Sequence, residues 1–314
     1  MKKKTISIFA ISVLVFFLFA VYANFILSIN QIDPLSDLGN YENFFHANSS
    51  APLPEFRFEI GFSIFTWFLS KFINLQTYLA VPAFLLWLGL FAAIRLIVNN
   101  IHIAAAVSFF LIILYPPYIS LTNVVLRQGV ASACAIYFLI QIHELSKEKW
   151  RTTFIYLIIF SFHFSGAIFV FATLLSKLLT LKIIFWMWII LSITYVFNFS
   201  GEIGISMLNI AGIDLNVLNA FDRNDIDYEV GFKFNFFALS SLPVVLIFLI
   251  KFLNIRSLNM YSDFEKFLLK LFLAINSVAM MFSLSTFSDR MFTWSWILIP
   301  IIFLQIVNKI KFFK

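Results

Sequence analysis

Arg127 places a permanent charge in an apolar part of the chain, where long hydrophobic runs lie on both sides of it. A guanidinium keeps its charge at every accessible pH, and its transfer into hydrocarbon costs at least about 2.5 kcal/mol. Its planar set of donors fits a carboxylate or a phosphate. Two interpretations stay open: Arg127 reaches the membrane surface from a helix end, or it binds an anion with help from Gln128 and a helix N-terminus.

His163 is the second candidate for chemistry, in the sequence Phe162-His163-Phe164-Ser165. It lies well inside an apolar segment, and a histidine at that depth usually faces a cavity or another polar group. The side chain could make a packing hydrogen bond between helices. Alternatively, it could act as a base or a hydrogen-bond donor in a reaction.

Two further charged positions border apolar segments. Asp289 and Arg290 precede the last such segment, where they form either a local pair in a turn or a functional site. Glu59 opens an earlier segment, where a helix dipole would favour its charge. Glu59 could equally bind Arg127 or Arg290, or orient a sugar hydroxyl.

Spacing along the chain places Arg127 and His163 on the same side of the membrane midplane. The short connection at 146–151 predicts that the helices on either side are antiparallel neighbours. At 1.5 Å per residue, Arg127 lies about 30 Å from that connection and His163 about 18 Å from it. Both are therefore expected beyond the midplane, on the face opposite the connection.

The amino-acid composition indicates which kind of secondary structure carries these charged residues. The chain of 314 residues is 61% hydrophobic and 12% charged, with 43 Phe and 7 Trp, and its mean hydropathy is +0.94. Soluble domains carry about twice that share of charged residues. We therefore predict an all-α fold, a polytopic transmembrane helix bundle that forms a single integral membrane domain over 1–314. A β-barrel is disfavoured because the apolar runs approach the length of a spanning helix.

About ten hydrophobic segments are predicted to be helical and are candidate membrane spans, of which 59–75 is short and amphipathic and 182–199 is barely long enough. The ten are 5–29, 59–75, 77–98, 101–118, 124–145, 152–175, 182–199, 234–253, 266–285 and 291–308.

Charge patterning predicts the orientation of these helices. The hydrophilic stretches at about 30–58 and 200–232 are acidic and poor in lysine, as expected for external loops. The stretch at 147–151 and both chain ends are basic, which indicates the cytoplasmic side. This orientation would place Arg127 and His163 towards the exterior. It also requires that not all ten segments cross.

Several classes of protein lack support in the sequence. The single Cys134 excludes an internal disulfide and a cysteine-based zinc site. The net charge of +6 lies mostly at the chain ends and is not a nucleic-acid signature. Walker, Rossmann and zincin motifs are absent. Asp225-Ile226-Asp227 matches the D-x-D pattern of metal-dependent glycosyltransferases, but three residues in an acidic loop are a weak signal.

The order of the charged motifs resembles the EpsG-like branch of the Wzy-type polysaccharide polymerases, over about 55–300. The motifs are Glu59-x-Gly61-Phe62, Arg127-Gln128-Gly129-x-Ala131, Phe162-His163-x-Ser165 and Asp289-Arg290. The chain departs from the pattern at Gly129, where bulkier apolar residues also occur in the family.

The resemblance implies a polymerase of O-antigen, capsule or exopolysaccharide repeat units. Such an enzyme is a multi-pass glycosyltransferase of the bacterial inner membrane, with its active site facing the periplasm or exterior. Its substrates are undecaprenyl-diphosphate-linked oligosaccharides, and we expect no metal and no cofactor. A chain-length regulator is a further partner that the sequence leaves open.

The resemblance also implies roles for individual residues. Arg127 and Arg290 would engage the diphosphate, and His163 and Glu59 would act near the acceptor. The neighbouring polar side chains Gln128, Ser165 and Asp289 would contribute to substrate binding.

Two other functions stay open. A transporter or flippase of the same lipid-linked oligosaccharide would also need charged sites within the membrane, although the chain lacks clear pseudo-symmetric halves. A membrane O-acyltransferase would likewise use intramembrane His and Arg.

Overall fold

The computed structural model describes residues 2–29, 37–139, 141, 149–210, 230–252, 262–285 and 288–309. Within these ranges the regular structure is α-helical and no strand occurs, so the predicted all-α class is confirmed. The D-x-D motif at 225–227, the connection at 142–148, and residues 30–36 and 211–229 of the two predicted external loops lie outside the described residues.

The first of two compact units covers residues 1–166. Its helices are α1 (Lys2–Ile29), α2 (Asp37–Ser50), α3 (Ile60–Ser70), α4 (Leu75–Arg95), α5 (Ile101–Leu114), α6 (Pro116–Asn123), α7 (Leu126–Tyr137) and α8 (Lys149–Phe162). The apolar helix α4 packs against α1, α5 and α7. The last of these contacts is close because Gly89 lies against the backbone of Ala133.

The second unit covers residues 167–314. Its helices are α9, which begins at the boundary (Gly166–Leu178), α10 (Leu181–Val196), α11 (Phe199–Ile210), α12 (Phe234–Phe252), α13 (Asp263–Met281), α14 (Ser288–Trp296) and α15 (Ile299–Lys309). The centre of this unit is α13, which packs against α10, α11, α14 and α15.

The prediction of about ten membrane crossings was wrong in number. Among the described residues, two helices are long and apolar enough to cross a membrane, Leu75–Arg95 and Ser288–Asn308. The number rises to four if each of two bent helix pairs forms one span. The apolar helices still indicate a membrane protein.

Breaks in the backbone account for part of the difference. The predicted segment 101–118 ends as a helix at Leu114, and the chain turns by 76° between α5 and α6. Tyr115 precedes Pro116, and a residue before proline is disfavoured in the helical conformation. Between α10 and α11 the chain turns by 115°. There Asn198 adopts a φ of 61°, in the left-handed region. Hydropathy detects apolar residues, but it does not detect these turns.

The segment 152–175 is also broken, and the break contains the candidate residue His163. It forms α8 up to Phe162 and α9 from Gly166, with His163, Phe164 and Ser165 in the turn between them. The Gly166 amide donates to the carbonyl of His163 at 2.9 Å and closes this turn. Irregular backbone within a membrane protein is tolerated where other protein groups or a cavity satisfy its polar atoms.

Candidate functional site

Glu59 is the centre of a charged cluster in the first unit. It is the residue before α3, and its side chain makes no capping bond to that helix. One carboxylate oxygen, Oε2, accepts from Nη1 of Arg127 at 2.5 Å. The other, Oε1, accepts from Nδ1 of His163 at 2.9 Å and from the backbone amide of Phe164 at 3.1 Å. One carboxylate therefore connects α3, α7 and the turn after α8.

Arg127 lies in the first turn of α7, and three groups surround its guanidinium. Besides the bond to Glu59, its Nε donates to the hydroxyl of Tyr41 at 3.4 Å. The guanidinium carbon stands 4.4 Å from the ring centroid of Phe58, in a cation–π contact. The side chain is 16% exposed. It is thus a largely desolvated cation that a carboxylate compensates, and the interpretation of a surface-seeking arginine is not supported.

His163 owes its position to the end of α8. Because the helix stops at Phe162, the amide of Phe164 points to Glu59 and not to a helical carbonyl. A carboxylate can only accept hydrogen bonds, so the hydrogen shared by Glu59 and His163 belongs to Nδ1. In a neutral ring, Nε2 then carries the lone pair. This tautomer is the one that a base needs when the reacting hydroxyl approaches Nε2.

Two glycines allow the segments of the cluster to approach closely. A Cβ on Gly61 would stand 2.8 Å from the carbonyl oxygen of Ser161, two residues before His163. A Cβ on Gly129, two residues after Arg127, would clash with the carbonyl oxygen of Leu121. Real Cβ atoms do not occupy such positions, so α3 meets α8, and α6 meets α7, only with glycine there. Gly129, a departure in the sequence comparison, thus has a packing reason.

Aromatic side chains form the walls around the cluster. Tyr41, Phe44, Phe62 and Tyr78 are buried and belong to one hydrophobic cluster, and Phe58 packs edge-on against Phe44 with ring centroids 4.8 Å apart. Apolar walls lower the local dielectric, which strengthens each interaction of the charged groups within them.

The charges of the cluster are matched, and this matching keeps Glu59 ionised. Burial alone would raise the pKa of its carboxyl group, but the bond from His163 and the charge of Arg127 lower it more. The net result is a pKa of about 2, compared with the ordinary 4.5. A carboxylate with so low a pKa is a weak base. Glu59 is therefore suited to holding its two partners rather than to accepting a proton.

The structure brings together three of the predicted site residues, Glu59, Arg127 and His163. The shared contact to Glu59 is compatible with the expectation that Arg127 and His163 lie on the same side of the midplane. Gln128 is fully buried, and Ser165 is buried in the turn that follows His163.

The other two predicted residues belong to the second unit. Asp289 and Arg290 lie in the first turn of α14, and both are half-buried. The carbonyl of Asp289 accepts from the hydroxyl of Thr293 at 2.8 Å, within the same helix.

Sequence reasoning missed Tyr41 as a partner of Arg127. The stretch at 30–58 was expected to be a loop, but residues 37–50 form α2, which carries Tyr41. No local pattern signals this contact, because it depends on how α2 packs. The contact of Phe58 with Arg127 could have been suspected from the sequence, because Phe58 is the residue before Glu59.

Among the described residues, no group of three or more His, Cys, Asp or Glu side chains could hold a metal ion. The arrangement that is present can bind an anion at Arg127, and beside it holds an oriented imidazole whose Nε2 is buried.

Comparison with known proteins gives one family. No curated protein and no solved structure matches the chain. The model of the EpsG family matches residues 11–314, nearly the whole length, and this match confirms the family that the motifs predicted. The chain therefore belongs to the EpsG family, a family of Wzy-like polymerases.

Proposed function

We propose that the protein is a polysaccharide polymerase of the bacterial inner membrane. It transfers a growing glycan from an undecaprenyl-diphosphate carrier to the end of a new lipid-linked repeat unit, in a site that faces the periplasm or exterior. Family membership supports the polymerase class. The specific reaction is supported by one observation above all, the contact of Arg127 and His163 with the same carboxylate of Glu59.

Arg127 is assigned to the diphosphate. When the glycosidic bond to the carrier breaks, negative charge develops on the leaving diphosphate. A guanidinium has five N–H donors, and the contacts to Glu59 and Tyr41 use two of them. The others can meet phosphate oxygens in a setting where the cation is already oriented. A preorganised donor of this kind stabilises a transition state by about 3–4 kcal/mol.

His163 is assigned to the acceptor. The acceptor hydroxyl oxygen attacks the anomeric carbon of the donor glycan, and a new glycosidic bond forms as the bond to the diphosphate breaks. The hydroxyl proton passes to Nε2 of His163, which is buried in this structure and which the acceptor reaches once the turn at 163–165 moves. The carrier leaves as undecaprenyl diphosphate. The bond from Nδ1 to Glu59 holds the ring in the required tautomer and stabilises the imidazolium that results.

Glu59 takes a role different from the one that the resemblance implied. Its carboxylate is occupied by three donors and is a weak base. We propose that Glu59 fixes Arg127 and His163 relative to each other. Arg127 can then contact the leaving diphosphate while His163 contacts the attacking hydroxyl.

The remaining predicted residues keep supporting roles in the proposal. Gln128 and Ser165 contribute polar groups next to Arg127 and His163 along the chain. Arg290, with Asp289 beside it, is assigned to diphosphate binding, and a variant of its own must test this assignment.

The test is the length distribution of surface glycan in a strain that lacks this chain. The wild-type gene should restore a ladder of long chains, whereas Arg127→Ala and Arg290→Ala should leave single repeat units on the lipid. Arg95→Ala is the matched control, because this arginine donates to the backbone carbonyls of Val98 and Asn99 and not to the cluster. A ladder of normal length from Arg127→Ala would overturn the role of Arg127.

The same strain separates the other functions. Pulse-labelling that finds no unit-length glycan at the surface would favour a flippase. Full-length polymer that lacks only its acyl groups would favour an O-acyltransferase. The polymerase predicts unit-length glycan at the surface without long chains.

A further inference from the structure

Lys71 makes a set of contacts that the proposed chemistry does not use. It follows the last residue of α3, and its ammonium donates to three backbone carbonyls at the end of α2. The distances from Nζ are 2.9 Å to Asn48, 2.9 Å to Ser49 and 2.6 Å to Ala51. An ammonium group has three N–H donors, so these contacts match its full capacity.

The contacts satisfy groups that a helix end leaves without partners. The last four carbonyls of a helix have no intrahelical donor, and the negative end of the helix dipole attracts a cation. Trp67, one turn earlier on α3, adds a bond from its Nε1 to the carbonyl of Ala51 at 3.2 Å. The C-terminal end of α3 therefore clamps the C-terminal end of α2.

The clamp connects to the cluster through α2. Tyr41, which accepts the bond from Nε of Arg127, lies on α2 about 10 Å from Asn48. Between them Phe44 is fully buried against the ring of Phe58, which lies under the guanidinium. A shift of the clamped end would move Tyr41 as part of the same rigid helix.

We propose that Lys71 is a positioning residue of the polymerase. It fixes α2 so that Tyr41 holds the guanidinium of Arg127 in the orientation that the leaving diphosphate requires. This inference rests on the proposed function. Lys71 touches no reacting group; its effect reaches Arg127 through α2, which carries Tyr41.

The test is a double-mutant cycle on polymerisation by the purified protein in liposomes with a lipid-linked repeat unit. Lys71→Gln should lower kcat by about tenfold to a hundredfold, as expected for a misplaced catalytic group, and leave KM unchanged. Lys71→Arg should restore most of the rate, since a guanidinium can also donate to carbonyls. Lys266→Gln, on an exposed lysine of the second unit, is the control and should have full activity.

The second arm of the cycle is Tyr41→Phe, which removes the hydroxyl that Lys71 is proposed to position. On its own it should also lower kcat. In the Tyr41→Phe background, Lys71→Gln should add less than about threefold, because both changes act on one contact. Fully multiplicative effects, or a normal rate in either single variant, would overturn the proposal.

A milder variant decides the matter if Lys71→Gln does not yield folded protein. Trp67→Phe removes only the bond to Ala51 and keeps an aromatic ring, and the same cycle with Tyr41→Phe should again be non-multiplicative. Inactive Arg127→Ala together with a multiplicative Lys71 cycle would defeat this inference alone. Active Arg127→Ala would defeat the proposed function instead.

Discussion

Each unit of the protein buries a polar network that joins three segments, but the two networks differ in charge. In the second unit, Asn276 accepts from Nε1 of Trp188 at 3.0 Å and donates to the hydroxyl of Ser295 at 3.1 Å. This network is neutral, and Asn276 and Ser295 are fully buried. In the first unit, Glu59 joins Arg127 and His163.

The difference indicates separate purposes. Buried neutral groups need only hydrogen bonds, and a satisfied network of them specifies how helices pack. A buried ion pair often returns little net stability, so apolar residues can often replace both partners together, whereas removal of one partner is costly. The ionic cluster is also partly open, with 19% of the Glu59 side chain exposed. We therefore expect changes in the first network to affect activity, and changes in the second to affect stability alone.

The largest effect is expected for Glu59→Gln, which leaves the charge of Arg127 uncompensated. Turnover should fall by at least about a hundredfold, as when a preorganised electrostatic group is lost, and unfolding should become easier by about 3 kcal/mol. Turnover assays and thermal unfolding in detergent at pH 7 measure both. If Glu59→Gln had normal turnover, the ionic network would affect stability alone, like the neutral network, and the proposed difference between them would be wrong.

The stability part of this effect has a defined pH dependence. The folded pKa of Glu59 is about 2, below the ordinary 4.5. Its ionisation therefore stabilises the fold fully above about pH 4.5, and this contribution is lost as the pH falls towards 2. The stability difference between wild type and Glu59→Gln should shrink over that window. A difference that stays constant between pH 7 and pH 3 would contradict the assignment.

A smaller effect is expected for Gly61→Ala. The new Cβ meets the backbone of Ser161 and must push α3 away from α8, which separates Glu59 from His163. A misplacement of this size should lower turnover by about tenfold to a hundredfold. The matched change in the second unit is Gly204→Ala, where the Cβ meets the backbone of Met281. It should lower the melting temperature but leave the turnover of folded molecules unchanged.

The smallest effect on activity is expected for Asn276→Ala. The indole of Trp188 and the hydroxyl of Ser295 would lose a buried partner, at a cost of about 1–3 kcal/mol in unfolding free energy. Turnover per folded molecule should be that of the wild type. Thermal unfolding and turnover of the same preparation test both parts, and a loss of turnover without a loss of stability would count against this comparison.

The residues of the charged cluster could be predicted from the sequence because charge in an apolar chain is conspicuous. Arg127, His163 and Glu59 each stand out in this way, and residue spacing placed the first two on one side of the midplane. Tyr41 and Lys71 could not be found, since a tyrosine and a lysine near a hydrophilic stretch are unremarkable. Their contacts exist only because α2 folds back onto α3.

The helical class could also be predicted, whereas the number of crossings could not. Apolar composition is a property of residues, and it remains high through Tyr115 and through the turn at 163–165. A break there depends on a following proline in one case. In the other, it accompanies the amide of Phe164 binding a distant carboxylate. The second cause lies in the tertiary structure and leaves no mark in hydropathy.

The most direct test of the central claim is the turnover of purified Glu59→Gln, His163→Gln and the double variant with a lipid-linked repeat unit. If Glu59 works by orienting His163 and holding Arg127, the double variant should be about as slow as the slower single variant, because such residues act as one unit. Losses that multiply in the double variant would show that Glu59 and His163 act independently and would contradict the account.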